Sequence, residues 1–391
     1  MKPDITLIFP SSPFLLNQAV FPPLGILYLS AYLKAHGLSV QCLDMGLGHT
    51  PDMAESETIG ISLTTPQRFE AFRLAKHFKS QGKRTIAGGP HATHMAWECH
   101  ENGFDYVIPG YAERLLTEFL SVDSTPIDVY PDRYALPIGD YRYEIDGKPA
   151  TPIMTSRGCP YHCSYCGKIN SEFYLQSAER TVAEINQIYD KFGFEAFMIY
   201  DDVFIASKKR LAKMVNMIGD RRYTFRSFAR SNLLDDKTCS MLKKLGMVEV
   251  GIGIESGSDE VLQLNMKGTT RKMNTRAVER LHRHGIRAKA FLIVGLPGET
   301  TETITETADW IEEAQPDDID ISVFQPMPGS RIFAEPEKWG IHFTYNGKPG
   351  WYKGTPGMYE ANVYVGDLTG EEIVQWRDLL EKEFKKPELL R

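Results

Sequence analysis

Between residues 5 and 120 short β-rich runs alternate with amphipathic stretches, and from residue 151 to about 325 a second such series follows. That alternation is the strongest constraint on the fold, because strands separated by helices pair in parallel through right-handed crossovers. The first series is "ITLIFP", "SVQCLDM", "IGISLTT", "RTIAGGP" and "DYVIPG". It predicts an α/β domain with a doubly wound parallel sheet, whose ligands lie beyond the carboxyl ends of the strands. The second is "PIMTS", "AFMIYDD", "TFRSFAR", "VEVGIGIES", "AKAFLIVG" and "DISVFQP". Its β/α units predict an incomplete parallel barrel with its chemistry at the same ends. In one helical segment Phe69, Phe72, Ala75 and Phe78 share a face before Gly82; in another, Thr181 and Glu184 read as a capping box before Val182, Ile185, Tyr189 and Phe192.

Residues 1–122 therefore read as one domain and 149–342 as another. Between them, 123–148 is proline-rich with little periodicity and reads as a linker. The remaining 343–391 read as a C-terminal segment rich in aromatics, with a helix opened by Thr369 and Glu372. Trp351, Tyr352 and Tyr359 of this segment are the candidates for capping a small-molecule substrate pocket.

A chain of 391 residues with 42% hydrophobic residues buries a sizeable core, and a formal charge of -7 offers no general attraction to nucleic acid or anionic lipid. No stretch of about 18 apolar residues suggests a membrane span. The opening "MKPDITLIFPSSPFLL" reads as a first strand rather than a signal peptide, so a cytoplasmic protein is expected. Disulfides are rare in that compartment, which makes clustered thiols candidates for metal or redox chemistry. Cys42, Cys99 and Cys239 are scattered through strand and helix segments and read as small buried hydrophobes.

The other three cysteines crowd into "SRGCPYHCSYCGK", residues 156–168. Cys159, Cys163 and Cys166 have C-x3-C-x2-C spacing on a Gly/Pro loop after the first strand of the second series. Four thiolates would close a structural zinc site or fully ligate a cubane, whereas three leave one iron open to a small molecule. The alternative is a zinc site completed by His162 or a distant residue.

With Tyr165 before its last cysteine, this motif resembles the signature of the radical S-adenosylmethionine (SAM) superfamily, and the resemblance extends over residues 151–335. Residues 1–120 resemble the cobalamin-binding companion domain through "PPLGILYLSAYLKAHG", "GGPHAT" and "DYVIPGYAE". The resemblance implies a [4Fe-4S] cluster on the three cysteines, with SAM chelated at the open iron and cleaved by one electron to methionine and a 5′-deoxyadenosyl radical. It implies SAM contacts at Tyr165, at Asp201 and Asp202 where the superfamily often has Gly-Gly-Glu, and at Arg230, Ser231, Glu255, Gly295 and Gln325. For cobalamin it implies Ser62, Thr64, Gly88 and Gly89 beside the nucleotide tail and His91 near the corrin side chains. Gly110 and Glu113 bracket a loop where the family usually reads Gly-Glu-Gly-Glu and this chain has Tyr111 and Ala112. Cobalamin proteins that place a histidine beneath the cobalt use D-x-H-x-x-G after the second strand. Here "LDMGLGHT" keeps Asp44 but has Gly46 at the histidine position, with His49 three residues later, so no nitrogen is expected under the metal.

The function implied is a cobalamin-dependent radical SAM methyltransferase acting on an unactivated carbon of a small molecule, with a reductase, flavodoxin or ferredoxin as electron donor. Two alternatives stay open: the same cofactors used for ring closure, ring contraction or oxidation, and a corrinoid or iron-sulfur sensor without turnover.

Overall fold

The computed structural model describes residues 2–13, 15–123, 125–169, 172–344 and 359–386. The chain forms two compact units, one of residues 1–143 with 168–170 and one of 144–167 with 171–391.

In the first unit, β1 (Ile5–Phe9), α1 (Leu24–Ala35), β2 (Val40–Asp44), β3 (Thr58–Ser62), α2 (Arg68–Ser80) and β4 (Arg84–Gly88) come in that order. Two short helices, α3 (Pro90–His94) and α4 (Ala96–Glu101), lead to β5 (Tyr106–Val107) and α5 (Glu113–Phe119). The five strands are parallel in the order β2-β1-β3-β4-β5, so the chain reverses its direction of travel between β1 and β3. Ile5, Leu7, Ile8, Ile59 and Ile61 are all buried, giving the nearly continuous apolar runs that a sheet covered on both faces requires. From α2, Phe72, Ala75 and Phe78 pack into this core. Phe69 departs from its expected face: it is 44% exposed and lies under the Arg68 guanidinium, 4.2 Å from its ring centroid.

The second unit opens with β6 (Glu144–Ile145) and β7 (Lys148–Ile153), an antiparallel hairpin turned by Asp146 and Gly147, both at positive φ. β8 (Ser156–Arg157) and β9 (Tyr174–Leu175) follow, then α6 (Ala178–Phe192), β10 (Ala196–Ile199), α7 (Lys208–Ile218), β11 (Thr224–Ala229), α8 (Asp236–Leu245) and β12 (Met247–Glu255). Next come α9 (Asp259–Leu264), α10 (Arg271–Arg283), β13 (Arg287–Val294), α11 (Thr301–Ala314), β14 (Asp318–Val323) and α12 (Arg331–Ala334). The hairpin of β15 (Ile341–Phe343) and β16 (Val363–Val365) precedes α13 (Gly370–Phe384).

The main sheet runs β14-β13-β12-β11-β10-β7-β6, six parallel strands in chain order with the antiparallel β6 added at one edge. It is the expected open barrel with one strand more than the sequence reading supplied. Helix α6 starts three residues before the anticipated cap, because Ser177 accepts the Arg180 N–H and leaves Thr181 and Glu184 inside the helix. The capping box of Thr369 and Glu372 is as expected. On α13, buried Arg377 donates to the Ile321 carbonyl of β14 (3.1 Å), fastening that helix to the free edge of the sheet. Cys42, Cys99 and Cys239 are buried, which pushes their thiols up to about 12, 12 and 11. Among the described residues no helix is long and apolar enough to cross a membrane.

Candidate active site

Ser156 pairs with Leu175 and Arg157 with Tyr174, so residues 158–173 form a loop closed at its neck that carries all three clustered thiols. Gly158 stands at that neck with φ +78, and a Cβ there would strike the Glu172 carbonyl oxygen; one at Gly167 would strike the Pro328 carbonyl oxygen. The glycines flanking the triplet are thus where the loop presses on other backbone. At its centre the Ser164 N–H donates to Asn265 O (3.1 Å), and the Ser164 hydroxyl reaches Asn265 O and Oδ1 at 3.2 Å each. Asn265 Nδ2 in turn donates to Pro297 O (2.8 Å), tying the cysteine loop to the C-terminal end of α9 and the loop after β13.

Cys159 and Cys163 are half-buried and Cys166 is exposed. Among the described residues no three His, Cys, Asp or Glu side chains converge on a single ion, and His162 is exposed. A cubane takes each thiolate at a different iron, so its ligands need not share one point. A donor set of three thiolates on one loop fits that group.

The strand ends sort the remaining candidates. After β10, Asp201 is buried and accepts from the Thr155 N–H (2.6 Å) and hydroxyl (2.5 Å), and burial pushes its carboxyl up against those bonds. It braces the segment leading into the cysteine loop, whereas Asp202 is exposed. After β11, Arg230 lies against the cysteine loop, while the hydroxyl of buried Ser231 donates to Asn274 of α10 (2.6 Å). Glu255 closes β12 with φ +69, where the register with β13 shifts, a conformation that costs a non-glycine residue. Its carboxylate is held by buried Lys267 at 2.6 Å. The Tyr165 hydroxyl is buried, and burial with nearby Glu255 and Cys163 pushes it well up. Gln325 Oε1, beyond β14, is buried without a hydrogen-bond partner.

Gly295, at φ +95, donates its N–H to Glu299 (2.5 Å), and burial pushes that carboxyl up to about 8. The folded chain therefore keeps a proton that the unfolded chain releases near the ordinary value of 4.5, so this group makes stability fall as pH rises from about 4.5 to about 8. Glu299→Gln is expected to remove that loss. Its melting temperature relative to wild type should climb between pH 5 and pH 8, and parallel curves would refute the assignment.

Tyr359 is buried with the Arg377 guanidinium 3.6 Å from its ring centroid, and it lines an open pocket with Glu360, Tyr364, Val374 and Gln375. Trp351 and Tyr352 lie outside the described residues.

In the first unit, Ser62, Gly88 and Gly89 line a small, largely apolar cavity at the ends of β3 and β4 with Leu7, Gly60 and Ile86. A Cβ at Gly88 would meet nothing within 4 Å, so a flat ring can lie against that strand end. Thr64 instead turns to Gln67 (2.8 Å). His91 is buried, with Nδ1 3.2 Å from Thr65 Oγ1 and Nε2 3.2 Å from Glu98, so both ring nitrogens face protein groups. The Gly110 N–H donates to Thr93 (2.9 Å), and Glu113 opens α5.

Asp44 accepts from the Gly46 N–H (2.8 Å) and from the Tyr141 hydroxyl (2.7 Å), while its own N–H donates to His49 Nδ1 (2.9 Å). With Nδ1 an acceptor, the neutral imidazole carries its proton on Nε2 and has no lone pair left for a metal. The cob(II) form should therefore show no axial-nitrogen splitting in electron paramagnetic resonance, and a splitting from one nitrogen would contradict this.

The residues that sequence reasoning missed are Asn265, Lys267, Glu299 and Tyr141. Only Glu299, four residues after Gly295, lay close to a position already singled out.

The family model of the radical SAM superfamily matches residues 153–311, and that of the B12 binding domain matches residues 18–120. An uncharacterized methyltransferase of Pyrococcus horikoshii is 24% identical over 378 residues, covering 84% of this chain and 82% of its own. The anaerobic magnesium-protoporphyrin IX monomethyl ester cyclase of Rubrivivax gelatinosus is 24% identical over 370 residues, 81% of this chain and 66% of its own. The radical S-adenosylmethionine methyltransferase TsrM from Kitasatospora setae, solved with cobalamin and a [4Fe-4S] cluster bound, shares the fold with a TM-score of 0.72 at 17% identity, over 90% of this chain and 83% of that one. The chain belongs to the cobalamin-dependent radical SAM enzymes. Its cofactors are those of the family: a [4Fe-4S] cluster, SAM and cobalamin.

Proposed function

We propose that this enzyme methylates an unactivated carbon of a small molecule. The observation that carries the reading is the three-thiolate loop on a partial barrel, in a chain that also has a B12-binding domain and matches a methyltransferase over most of both lengths. When bound, the cluster supplies the electron that cleaves SAM and the corrinoid carries the methyl group.

The chain's own residues hold and orient. Cys159, Cys163 and Cys166 ligate iron, and a reductase, flavodoxin or ferredoxin delivers the electron. Asp202 accepts from the methionyl ammonium. Lys267, fixed by Glu255, offers a cation near the same strand ends. The unpartnered Gln325 Oε1 accepts a hydrogen bond from SAM or substrate. Asp202→Ala should weaken SAM binding with the smaller loss of stability, whereas Asp201→Ala should cost about 1–3 kcal/mol of stability by leaving Thr155 unpaired. Equal effects in both assays would refute that division.

The cyclase relative favours a second reading, ring closure or oxidation with the same cofactors. Product mass decides: methyl transfer adds one CH2 unit to a candidate substrate, and ring closure does not. A product formed with SAM cleavage but without that gain would overturn the methyltransferase reading.

A further inference from the structure

Arg230 follows the last residue of β11 and is 8% exposed. Its Nη1 donates to Cys163 Sγ at 3.2 Å, its Nη2 donates to the Lys267 carbonyl, and its guanidinium lies 3.8 Å from the centroid of the Tyr161 ring. Cys163 and Tyr161 both belong to the cysteine loop. No carboxylate among the described residues forms an ion pair with Arg230: Glu255, at the next strand end, has its Oε1 taken by Lys267. A buried cation held by a carbonyl, a ring face and a sulfur is short of negative charge. The group it touches that can supply this charge is the Cys163 sulfur, a weak acceptor as a thiol and a strong one as an iron-bound thiolate.

We propose that Arg230 is a positioning residue for the cluster, whose fixed cation on the Cys163 sulfur stabilises the reduced state. The inference rests on the cluster reading and assigns Arg230 to a ligand sulfur rather than to the ribose or carboxylate of SAM. Adding one electron makes the cluster and its thiolates one charge more negative. A positive charge and an N–H donor at a ligand sulfur lower the energy of that state and raise the potential. The Tyr161 face and the Lys267 carbonyl fix the plane of the guanidinium so that one N–H points at the sulfur. A lysine could supply the charge but not this planar three-point hold.

The test is a redox titration of anaerobically reconstituted full-length protein, without SAM, followed by electron paramagnetic resonance, with iron and sulfide counted in each sample. Arg230→Met should keep its iron but have a more negative midpoint. At the potential that half-reduces wild type, its reduced-to-oxidised ratio should fall on the order of tenfold, which for one electron is about 59 mV. Arg230→Lys should fall between the two. An unchanged midpoint in Arg230→Met with full iron would overturn the proposal. Wild-type protein labelled with 15N-arginine gives a readout independent of how the variants fold. Coupling of a guanidinium nitrogen to the reduced cluster, lost in Arg230→Lys, supports the proposal; no coupling overturns it. Wild type without iron would overturn the underlying cluster reading as well, and the iron count tells that case apart.

Discussion

Protein with alanine at Cys159, Cys163 and Cys166 is expected to lose all of its iron and sulfide, about four of each per chain in wild type, and with them all SAM cleavage. The fold should survive. The cysteine loop is closed by the β8–β9 pairing and anchored by Ser164 on Asn265, contacts that use no thiol. None of the three cysteines belongs to the core of the second unit, so the substitutions open no cavity there. Iron and sulfide assays, with chromatographic detection of 5′-deoxyadenosine under reducing conditions, read the outcome. Zinc in place of iron in anaerobically reconstituted wild type would mean that the loop serves a structural ion instead.

Gly88→Val is expected to abolish cobalamin binding while leaving the cluster intact. Most substitutions in a parallel sheet damage the sheet first: at Gly60 a Cβ would already press on Leu7. Gly88 is different, because it ends β4, lines the cavity, and has open space where its Cβ would be. A valine suits an extended backbone and would place its methyl groups in that open space, where the cofactor's tail is expected. Bound corrinoid, read from its visible absorption after gel filtration, should fall to background with an unchanged melting temperature. Full corrinoid occupancy in this variant would move the site away from the β3 and β4 ends.

Much of this architecture can be read from sequence because the first unit's strands are nearly continuous apolar runs, as a parallel sheet covered on both faces demands, while β14 and the start of β13 alternate apolar and polar residues with a period of two. The two-residue β6 could not be read so, since no period shows in so short a segment, although the Asp146-Gly147 turn signalled it. The cysteine triplet is legible for a related reason: its spacing is local. Asn265 meets Ser164 across 101 residues, and Tyr141 meets Asp44 across 97, and no local pattern encodes such pairs. Position in the fold was easier to read than side-chain direction. Arg230 stands at the strand end assigned to it, yet turns onto the sulfur of Cys163. His91 has the sequence of an open loop tip, but short helices enclose it, with Glu98 of α4 on one side and Thr65 on the other. Tyr359 reads as a pocket-capping aromatic, and it lines a pocket while a buried arginine lies against its ring.

The central claim, methyl transfer by way of the corrinoid, is tested most directly with SAM whose methyl group is deuterated. The reduced protein, holding cluster and cobalamin, is incubated with it, and corrinoid and nucleoside are analysed together by mass spectrometry. We predict a corrinoid carrying the deuterated methyl group and, in the same reaction, 5′-deoxyadenosine. Formation of 5′-deoxyadenosine beside a corrinoid that never acquires the label would contradict methyl transfer and leave the ring-closing or oxidative chemistry in its place.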